Sequence, residues 1–333
     1  MLAFYRKQYM KNFKRFQDQI KKVGNILITT HIFPDADGIG SQLALAMALE
    51  KLGKKVTCLN EDPLPERYHY LDKNKLIKTV KSYKKGQTPD SFDMVIVVDT
   101  HNIERVGPSL RNHIENTKEI FYRSSSVTKE LQALNIIDSS MAATGQLVAH
   151  LIEFLKVELT HEMALCLYTA IIIDTSSFRY PSVNGDTHIV ISKLIKAGVR
   201  PSMAYNKIYG AKKIAHMHLL GELLKNAQCT EDQNIAWIVV GEKHLKKYNI
   251  DPEDTHAFIN HLLILKNIKV AIMFREIGKM VKISMRSNLV DVAILAQALG
   301  GGGHNHAAAA LKEGKLKNII KETVEKINLM LLP

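Results

Sequence analysis

The chain has 333 residues, of which 46% are hydrophobic and 23% charged, as is typical of a soluble globular protein with room for two domains. Its 45 lysines and arginines exceed its 33 acids, so the formal net charge is +12, which favours anionic partners without separating nucleotides from nucleic acids. The apolar runs are too short to cross a bilayer, residues 1–22 lack a signal-peptide core, and the three cysteines are sparse, so we predict a cytoplasmic protein.

Alternating strand and helix patterns predict the N-terminal architecture. An amphipathic helix is expected over residues 4–22. Apolar runs then predict strands at 25–29, 55–58, 94–98, 119–122 and 134–137, with helices at 42–52, 139–158 and 162–168. Because such alternation is typical of parallel sheets with crossover connections, we predict an α/β fold with a mostly parallel sheet and flanking helices.

A polar loop follows the first predicted strand, within residues 27–41. It brings His31, Asp35 and Asp37 to the carboxyl end of that strand, where open α/β sheets place their ligands. Carboxylates beside an imidazole suit Mn²⁺ or Mg²⁺. The two glycines that follow are expected to allow a tight turn, with Ser41 as the cap of the next helix. An ordinary Pro-Asp turn with solvated acids is the alternative.

Two later apolar runs also end in an acid. Asp99 follows the run 94–98, and Asp174 follows the run 170–173. We expect both carboxylates at the same rim of the sheet as His31, while an aspartate that caps a turn is the alternative for Asp99. The joint pattern predicts a divalent metal site.

These residues carry a family resemblance. The segment 31–41 resembles the first motif of the DHH phosphoesterase superfamily, residues 98–99 resemble the second, and residues 174–180 resemble the fourth. Near the C-terminus, residues 284–287 and 300–308 resemble the DHH-associated domain. That domain marks the branch that contains RecJ-like exonucleases, oligoribonucleases and phosphoadenosine-phosphate phosphatases.

The resemblance implies two metal sites. One metal would be held by His31, Asp35 and Asp99, and the other by Asp37, Asp99, Asp174 and a histidine. In such a centre two ions activate a shared water for attack on phosphorus, with Asp37 and Asp99 as catalytic residues. Mn²⁺ is the expected cofactor, and Mg²⁺ is an alternative.

One departure from the family concerns the Asp-His-His triplet that gives it its name. Ser124, Ser125 and Ser126 stand where the triplet belongs, and a serine hydroxyl is a poor replacement for an imidazole ligand. The second metal site is therefore expected to be weakened. Water would fill the gap, or His101 or His113 would replace the ligand, or the protein has lost turnover and kept binding.

A second domain is predicted in the C-terminal third. It has strands at 235–240, 268–274 and 281–285, and a strand or helix at 316–332. The glycine run 300–303 is expected to open an Ala-rich helix. Its exposed backbone N–H groups would then lie at a helix N-terminus, which favours a bound anion. By resemblance the substrate-binding residues are Arg286, Ser287, Gly301, Gly302, Gly303 and His304, with Arg286 and His304 on phosphate.

We therefore predict a metal-binding phosphoesterase domain at 1–187, a helical linker at 188–232 and a smaller substrate-binding α/β domain at 233–333, across a cleft. The predicted function is metal-dependent hydrolysis of short RNA or DNA oligonucleotides or of small nucleotide phosphates, such as phosphoadenosine phosphate or linear dinucleotides. The alternative is a nucleotide- or RNA-end-binding protein that no longer hydrolyses, because of the three serines. A processive exonuclease is disfavoured by the single tryptophan, and a homodimer is left open.

Overall fold

The computed structural model describes residues 2–82, 92–100, 103–114, 120–122, 134–136, 138, 141–210 and 213–331, with the backbone alone at 2–9, 112–113, 120–122, 134–135, 253 and 304. Contacts divide the chain into two compact units, Met1–Gly210 and Ala211–Pro333. The boundaries predicted at 187 and 232 fall inside these units, because Leu194 lies in the core of the first and Leu219 in a core of the second. Within the described residues, no helix is both long and apolar enough to cross a membrane.

The first unit is built on a six-stranded sheet. Its elements are α1 (Leu2–Ile20), β1 (Asn25–Thr29), α2 (Ala36–Lys51), β2 (Lys55–Asn60), β3 (Ile77–Thr79), β4 (Met94–Val97), α3 (Pro108–Ile114), β5 (Ile120–Tyr122), β6 (Leu134–Asn135), α4 (Thr144–Phe154), α5 (His161–Asp174), α6 (Gly185–Lys196) and α7 (Pro201–Tyr209). The strands are all parallel and lie in the order β3-β2-β1-β4-β5-β6. This confirms the predicted parallel α/β architecture, and the strand order reverses between β1 and β4.

Helices cover both faces of this sheet. Successive residues of a strand point to opposite faces, so Ile26 and Ile28 enter one core while Leu27 enters another. The first core is shared with α1, α2, α4 and α5, and the second includes Leu110 and Ile114 of α3. Burial on both faces explains why the central strands read as continuous apolar runs.

Helix α5 differs from the predicted layout. The helix is predicted to end near residue 168, before the apolar run 170–173, but that run is the last turn of one helix that ends at Asp174. All residues from Met163 to Ile172 are buried, because α5 packs against α2, α4 and α6. A helix buried on every side shows no amphipathic period, so its apolar run is not distinguishable from a buried strand by pattern.

The second unit has a mixed six-stranded sheet. Its elements are α8 (Ile214–Lys225), β7 (Gln228–Cys229), β8 (Ile235–Val240), α9 (Glu242–Tyr248), β9 (Val270–Ile277), β10 (Met280–Arg286), α10 (Val292–Ala298), β11 (Gly302–His304), β12 (Ala307–Glu313) and α11 (Leu316–Leu331). The strands lie in the order β11-β12-β10-β9-β8-β7, and only β8 and β9 pair in parallel. Helices α10 and α11 cover one face, and α8 covers the other.

The predicted Ala-rich helix is wrong, because residues 307–313 form strand β12. The glycine run ends helix α10 instead of opening a new helix. Gly300 has φ +81, its N–H donates to Gln297 O and the Gly301 N–H donates to Ala296 O, which is the Schellman arrangement at a helix C-terminus. The chain then turns into β11, and a Cβ on Gly303 would lie 2.5 Å from the Cα of Ala308. Two strands pair closely here because one has almost no side chains.

Candidate metal centre

The candidate site lies where the strand order of the first unit reverses. His31 follows the last residue of β1 by two positions, and Asp99 follows the last residue of β4 by two positions. Because β1 and β4 are adjacent and parallel, their carboxyl ends bring these two residues together. Open α/β sheets bind ligands at such a reversal, so the fold places the predicted residues where a ligand is expected.

His31 is buried and its ring orientation is set by the backbone. Its Nδ1 lies 2.8 Å from the carbonyl oxygen of Ile32, and a carbonyl only accepts, so Nδ1 carries the proton. The other nitrogen, Nε2, lies 3.3 Å from Asp99 Oδ2 and 3.8 Å from Asp35 Oδ2. A neutral imidazole held in this way presents the Nε2 lone pair to the two carboxylates, as a metal-binding histidine does.

The charges around His31 govern its protonation. Burial lowers the pKa of His31, but the close contact with Asp99 and the negative charges of Asp35 and Asp99 together outweigh it and raise the pKa to about 9. Arg105 opposes this increase only in part. A proton therefore occupies the position between the carboxylates at neutral pH, and a cation that binds there must displace it.

Asp35 also caps helix α2, a role predicted for Ser41. Its Oδ1 accepts the backbone N–H groups of Asp37 and Gly38 at 3.0 and 3.1 Å, so Asp35 is the N-cap of α2. Ser41 lies inside the helix, so the predicted Ser41 cap is wrong. The helix begins six residues earlier than that cap requires.

The two glycines of the motif serve packing and not a turn. A Cβ on Gly38 would lie 2.3 Å from Thr30 Oγ1, and one on Gly40 would lie 2.4 Å from the carbonyl oxygen of Cys166. Both residues are helical and buried within α2. Glycine is needed here because α2 lies directly against the end of β1 and against α5.

Asp37 binds the N-terminus of helix α4. Its carboxylate accepts the backbone N–H groups of Thr144 and Gly145 at 2.6 and 2.7 Å. The hydroxyl of Thr144 donates to Asp99 Oδ1 at 2.7 Å, so one residue contacts both predicted catalytic carboxylates. The positive end of a helix dipole stabilises such anions. Thr144 was not among the predicted site residues, although a threonine and a glycine at the start of a predicted helix were a signal for it.

Asp99 adopts an unusual backbone conformation. Its φ is +60, in the left-handed region that aspartate tolerates better than most residues. Thr144 holds one carboxylate oxygen, and the other faces His31. The bent backbone turns the side chain from the end of β4 toward the loop that carries His31.

Asp174 lies on the same side of α5 as the contacts with α2 and α4. Ala170, one helical turn earlier, is so close to both helices that a Cβ on Gly40 or Gly145 would lie 3.1 or 2.7 Å from its Cβ. Residues four apart share a helix face, so Asp174 continues that face at the end of the helix. Its role as a ligand of a second metal stays a prediction.

The residues present fit a divalent cation. Ligand atoms of His31, Asp35 and Asp99 all lie within 4.8 Å of one another. One imidazole nitrogen and two carboxylate oxygens form a donor set suited to Mn²⁺ or Mg²⁺. Ser124, Ser125 and Ser126, the alternative ligand His101 and the side chain of His113 lie outside the described residues.

In the second unit, the predicted substrate-binding residues lie around the turn after β10. The guanidinium of Arg286, at the end of the strand, donates to Met285 O at 2.9 Å. Ser287 is buried, and its hydroxyl donates to Lys269 O at 2.6 Å while accepting the N–H groups of Leu289 and Val290. Ser287 therefore holds the turn in this conformation.

The glycines of this predicted site lie in and before β11. Gly302 and Gly303 are exposed, and Gly301 is half-buried against β12. The side chain of His304 lies outside the described residues. Phosphate binding by these residues and by Arg286 stays a prediction. Because the glycines lead into strand β11, a helix N-terminus no longer supports that prediction.

Comparisons with known proteins agree with this architecture. A family model of the DHH family N-terminal domain matches residues 25–171, and a model of the DHHA1 domain matches residues 206–329. The bifunctional oligoribonuclease and PAP phosphatase NrnA of Thermus thermophilus is 28% identical over 315 residues, which cover 92% of this chain and 90% of that protein.

Solved structures share the fold. An exopolyphosphatase-related protein from Bacteroides fragilis superposes with a TM-score of 0.88 at 24% identity, covering 97% of this chain and 98% of that one. An exonuclease RecJ bound to manganese gives a TM-score of 0.53 at 13% identity, covering 98% of this chain and 95% of that one. The two domain models follow one another along the chain and together cover most of the sequence. The chain belongs to the DHH family, in the branch that carries a DHHA1 domain.

Proposed function

We propose that this protein is a metal-dependent phosphoesterase that hydrolyses short oligonucleotides or small nucleotide phosphates. The observation that carries the proposal is the buried imidazole of His31 facing the carboxylates of Asp35 and Asp99 at the reversal of strand order. The similarity to an oligoribonuclease and PAP phosphatase over 92% of the chain supports the substrate class.

The residues that would hold the metal follow from the geometry and the family. His31, Asp35 and Asp99 would hold one Mn²⁺, and Asp37, Asp99 and Asp174 would hold a second, more weakly bound ion. Bound there, the ions would lower the pKa of a water molecule and offset negative charge on the phosphate.

The surrounding residues orient the ligands. The carbonyl of Ile32 keeps the proton of His31 on Nδ1, so that Nε2 is directed at the carboxylates. Thr144 fixes Asp99 through its hydroxyl and Asp37 through its N–H group. Fixed dipoles of this kind need no reorganisation when charge develops on a substrate.

The alternative, a protein that binds nucleotides without hydrolysis, is not favoured by the comparisons. Relatives that match nearly the full length carry the names of hydrolytic enzymes. The first ligand set is also complete, down to the hydrogen bond that orients His31. Residual or full turnover is therefore the function that these residues support.

The test is hydrolysis of a short RNA and of adenosine 3′,5′-bisphosphate as a function of Mn²⁺ concentration. We expect turnover that is lost with chelator and lost in His31→Ala. The matched control is His161→Ala, which changes an exposed histidine at the start of α5 and should leave turnover intact. Turnover that survives both chelator and His31→Ala would refute the metal centre. Nucleotide binding without turnover in the wild type would support the alternative.

A further inference from the structure

The loop that carries the metal ligands also presents an exposed aromatic ring. Phe33 lies midway between His31 and Asp35, and 82% of its surface is exposed. It is the most exposed large hydrophobic residue in the described part of the chain. Phe33 does not contribute to the core of the first unit, since it belongs to neither of its hydrophobic clusters. Packing therefore does not explain a phenylalanine at this position.

The backbone holds Phe33 in a conformation that a phenylalanine rarely adopts. Its φ is +52, in the left-handed region that is unfavourable for bulky residues. The N–H of Phe33 donates to Asp62 Oδ2 at 2.7 Å, and the N–H of Ile32 donates to the carbonyl of Arg105 at 2.6 Å. Strained residues of this kind persist where neighbouring contacts hold them, and they concentrate at ligand sites.

The position of Phe33 relates it directly to the candidate metal centre. Two residues span at most about 7 Å of chain, so the ring starts within that distance of the Cα atoms of both His31 and Asp35. A phosphate at the centre would therefore have an exposed aromatic side chain beside it.

We propose that Phe33 is the platform on which a nucleobase of the substrate stacks, next to the scissile phosphate. This rests on the proposed phosphoesterase function and narrows it to phosphoesters that carry a base, as opposed to inorganic polyphosphate. Aromatic side chains stack on any base, because every base has a π face, so the platform confers preference for nucleotides without sequence specificity. Loss of one stacked base weakens binding by roughly 5- to 150-fold.

The binding experiment uses the full-length protein and a diribonucleotide with 2-aminopurine as one base and a phosphorothioate linkage that resists hydrolysis. Stacking on Phe33 should quench the 2-aminopurine fluorescence. We expect Phe33→Ala and Phe33→Asn to lose the quenching and raise Kd roughly 5- to 150-fold, and Phe33→Tyr to keep both. Asparagine tolerates the left-handed backbone, so Phe33→Asn separates loss of the ring from loss of the loop conformation. Leu329→Ala, which truncates another exposed apolar residue, is the matched control.

The hydrolysis experiment compares a natural dinucleotide with a dimer of the same backbone that lacks both bases. Phe33→Ala should raise KM for the first and leave KM for the second unchanged. Equal effects on both substrates, or no effect on either, would overturn the role of Phe33 while leaving the phosphoesterase function intact. Quenching that depends on Phe33 in a protein without turnover would uphold the stacking platform and refute the proposed function. Absence of nucleotide binding in the wild type would overturn both.

Discussion

Replacing Asp37 with alanine should destabilise the protein in addition to removing a predicted catalytic carboxylate. The side chain is buried and accepts two backbone N–H groups at the N-terminus of α4, from Thr144 and Gly145. Both donors belong to the first turn of a helix, whose N–H groups have no partner within the helix. In Asp37→Ala these donors are left buried without their acceptor.

The magnitude follows from the two hydrogen bonds. Each is short, at 2.6 and 2.7 Å, and has a charged acceptor, and such a bond contributes about 1.5–3 kcal/mol. Removal of a buried charge offsets part of the loss, so we expect the free energy of unfolding to fall by about 3 kcal/mol. For a domain of this size that corresponds to a decrease in Tm of roughly 6–12 °C. Asp37→Asn keeps one acceptor oxygen and should lose about half as much.

The assay is urea unfolding without metal, beside Mn²⁺-dependent hydrolysis, for the wild type and both variants. Thr160→Ala is the control, because Thr160 is the N-cap of a different helix, α5, where its hydroxyl oxygen accepts the Met163 N–H at 3.2 Å. It should lose about 1 kcal/mol and keep full turnover. If Asp37→Ala unfolds within about 0.5 kcal/mol of the wild type, the contact with α4 does not contribute as argued.

Three other predictions concern the same region. Thr144→Val removes the 2.7 Å hydrogen bond to Asp99 at nearly constant volume, and it should weaken Mn²⁺ binding in calorimetry; unchanged affinity would show that Asp99 needs no support. The pKa of His31 is raised from 6.5 to about 9 in the folded metal-free protein. Protonated His31 therefore stabilises the folded state fully below pH 6.5, and this stabilisation is lost as the pH rises through 9. The free energy of unfolding in urea should therefore fall by about 3 kcal/mol more in the wild type than in His31→Gln between pH 6.5 and 9. If this free energy depends on pH in the same way in both proteins, the prediction is wrong. Gly40→Ala places a Cβ 2.4 Å from the carbonyl oxygen of Cys166 and should cost about 1–3 kcal/mol of stability, whereas Gly53→Ala, where a Cβ would meet nothing within 4 Å, tests the cost of a positive φ alone.

The N-terminal domain could be predicted from sequence because its signals are local. Buried strands of a parallel sheet are continuous apolar runs, and β1 and β4 lie within one residue of their predicted bounds. The acids and the histidine directly follow those strands, and parallel strands bring their carboxyl ends to one edge. The structure brings His31, Asp35 and Asp99 together at this edge, as the pattern predicts, while their assignment to one metal rests on the family resemblance and stays a prediction.

The second unit shows where local signals fail. A run of alanines has a high helix propensity, yet residues 307–313 are a strand, because β10 on one side and the glycine strand β11 on the other offer pairing partners. The same glycines were interpreted as a helix start, although their φ values and hydrogen bonds end α10. Whether such a segment forms a strand depends on pairing partners distant in sequence, and the helix propensity of a residue carries no information about those partners.

Sequence alone was enough to predict the parallel α/β architecture of the N-terminal domain, the family motifs and the proximity of His31, Asp35 and Asp99. Each of these depends on the order and type of residues next to one another along the chain. Three features became visible only in the folded protein: the capping of α2 by Asp35, the contacts of Thr144 with both Asp37 and Asp99, and the exposure of Phe33 at a positive φ. These features depend on contacts between segments as far apart as residues 37 and 144, and such contacts exist only once the core has brought the helices and strands together.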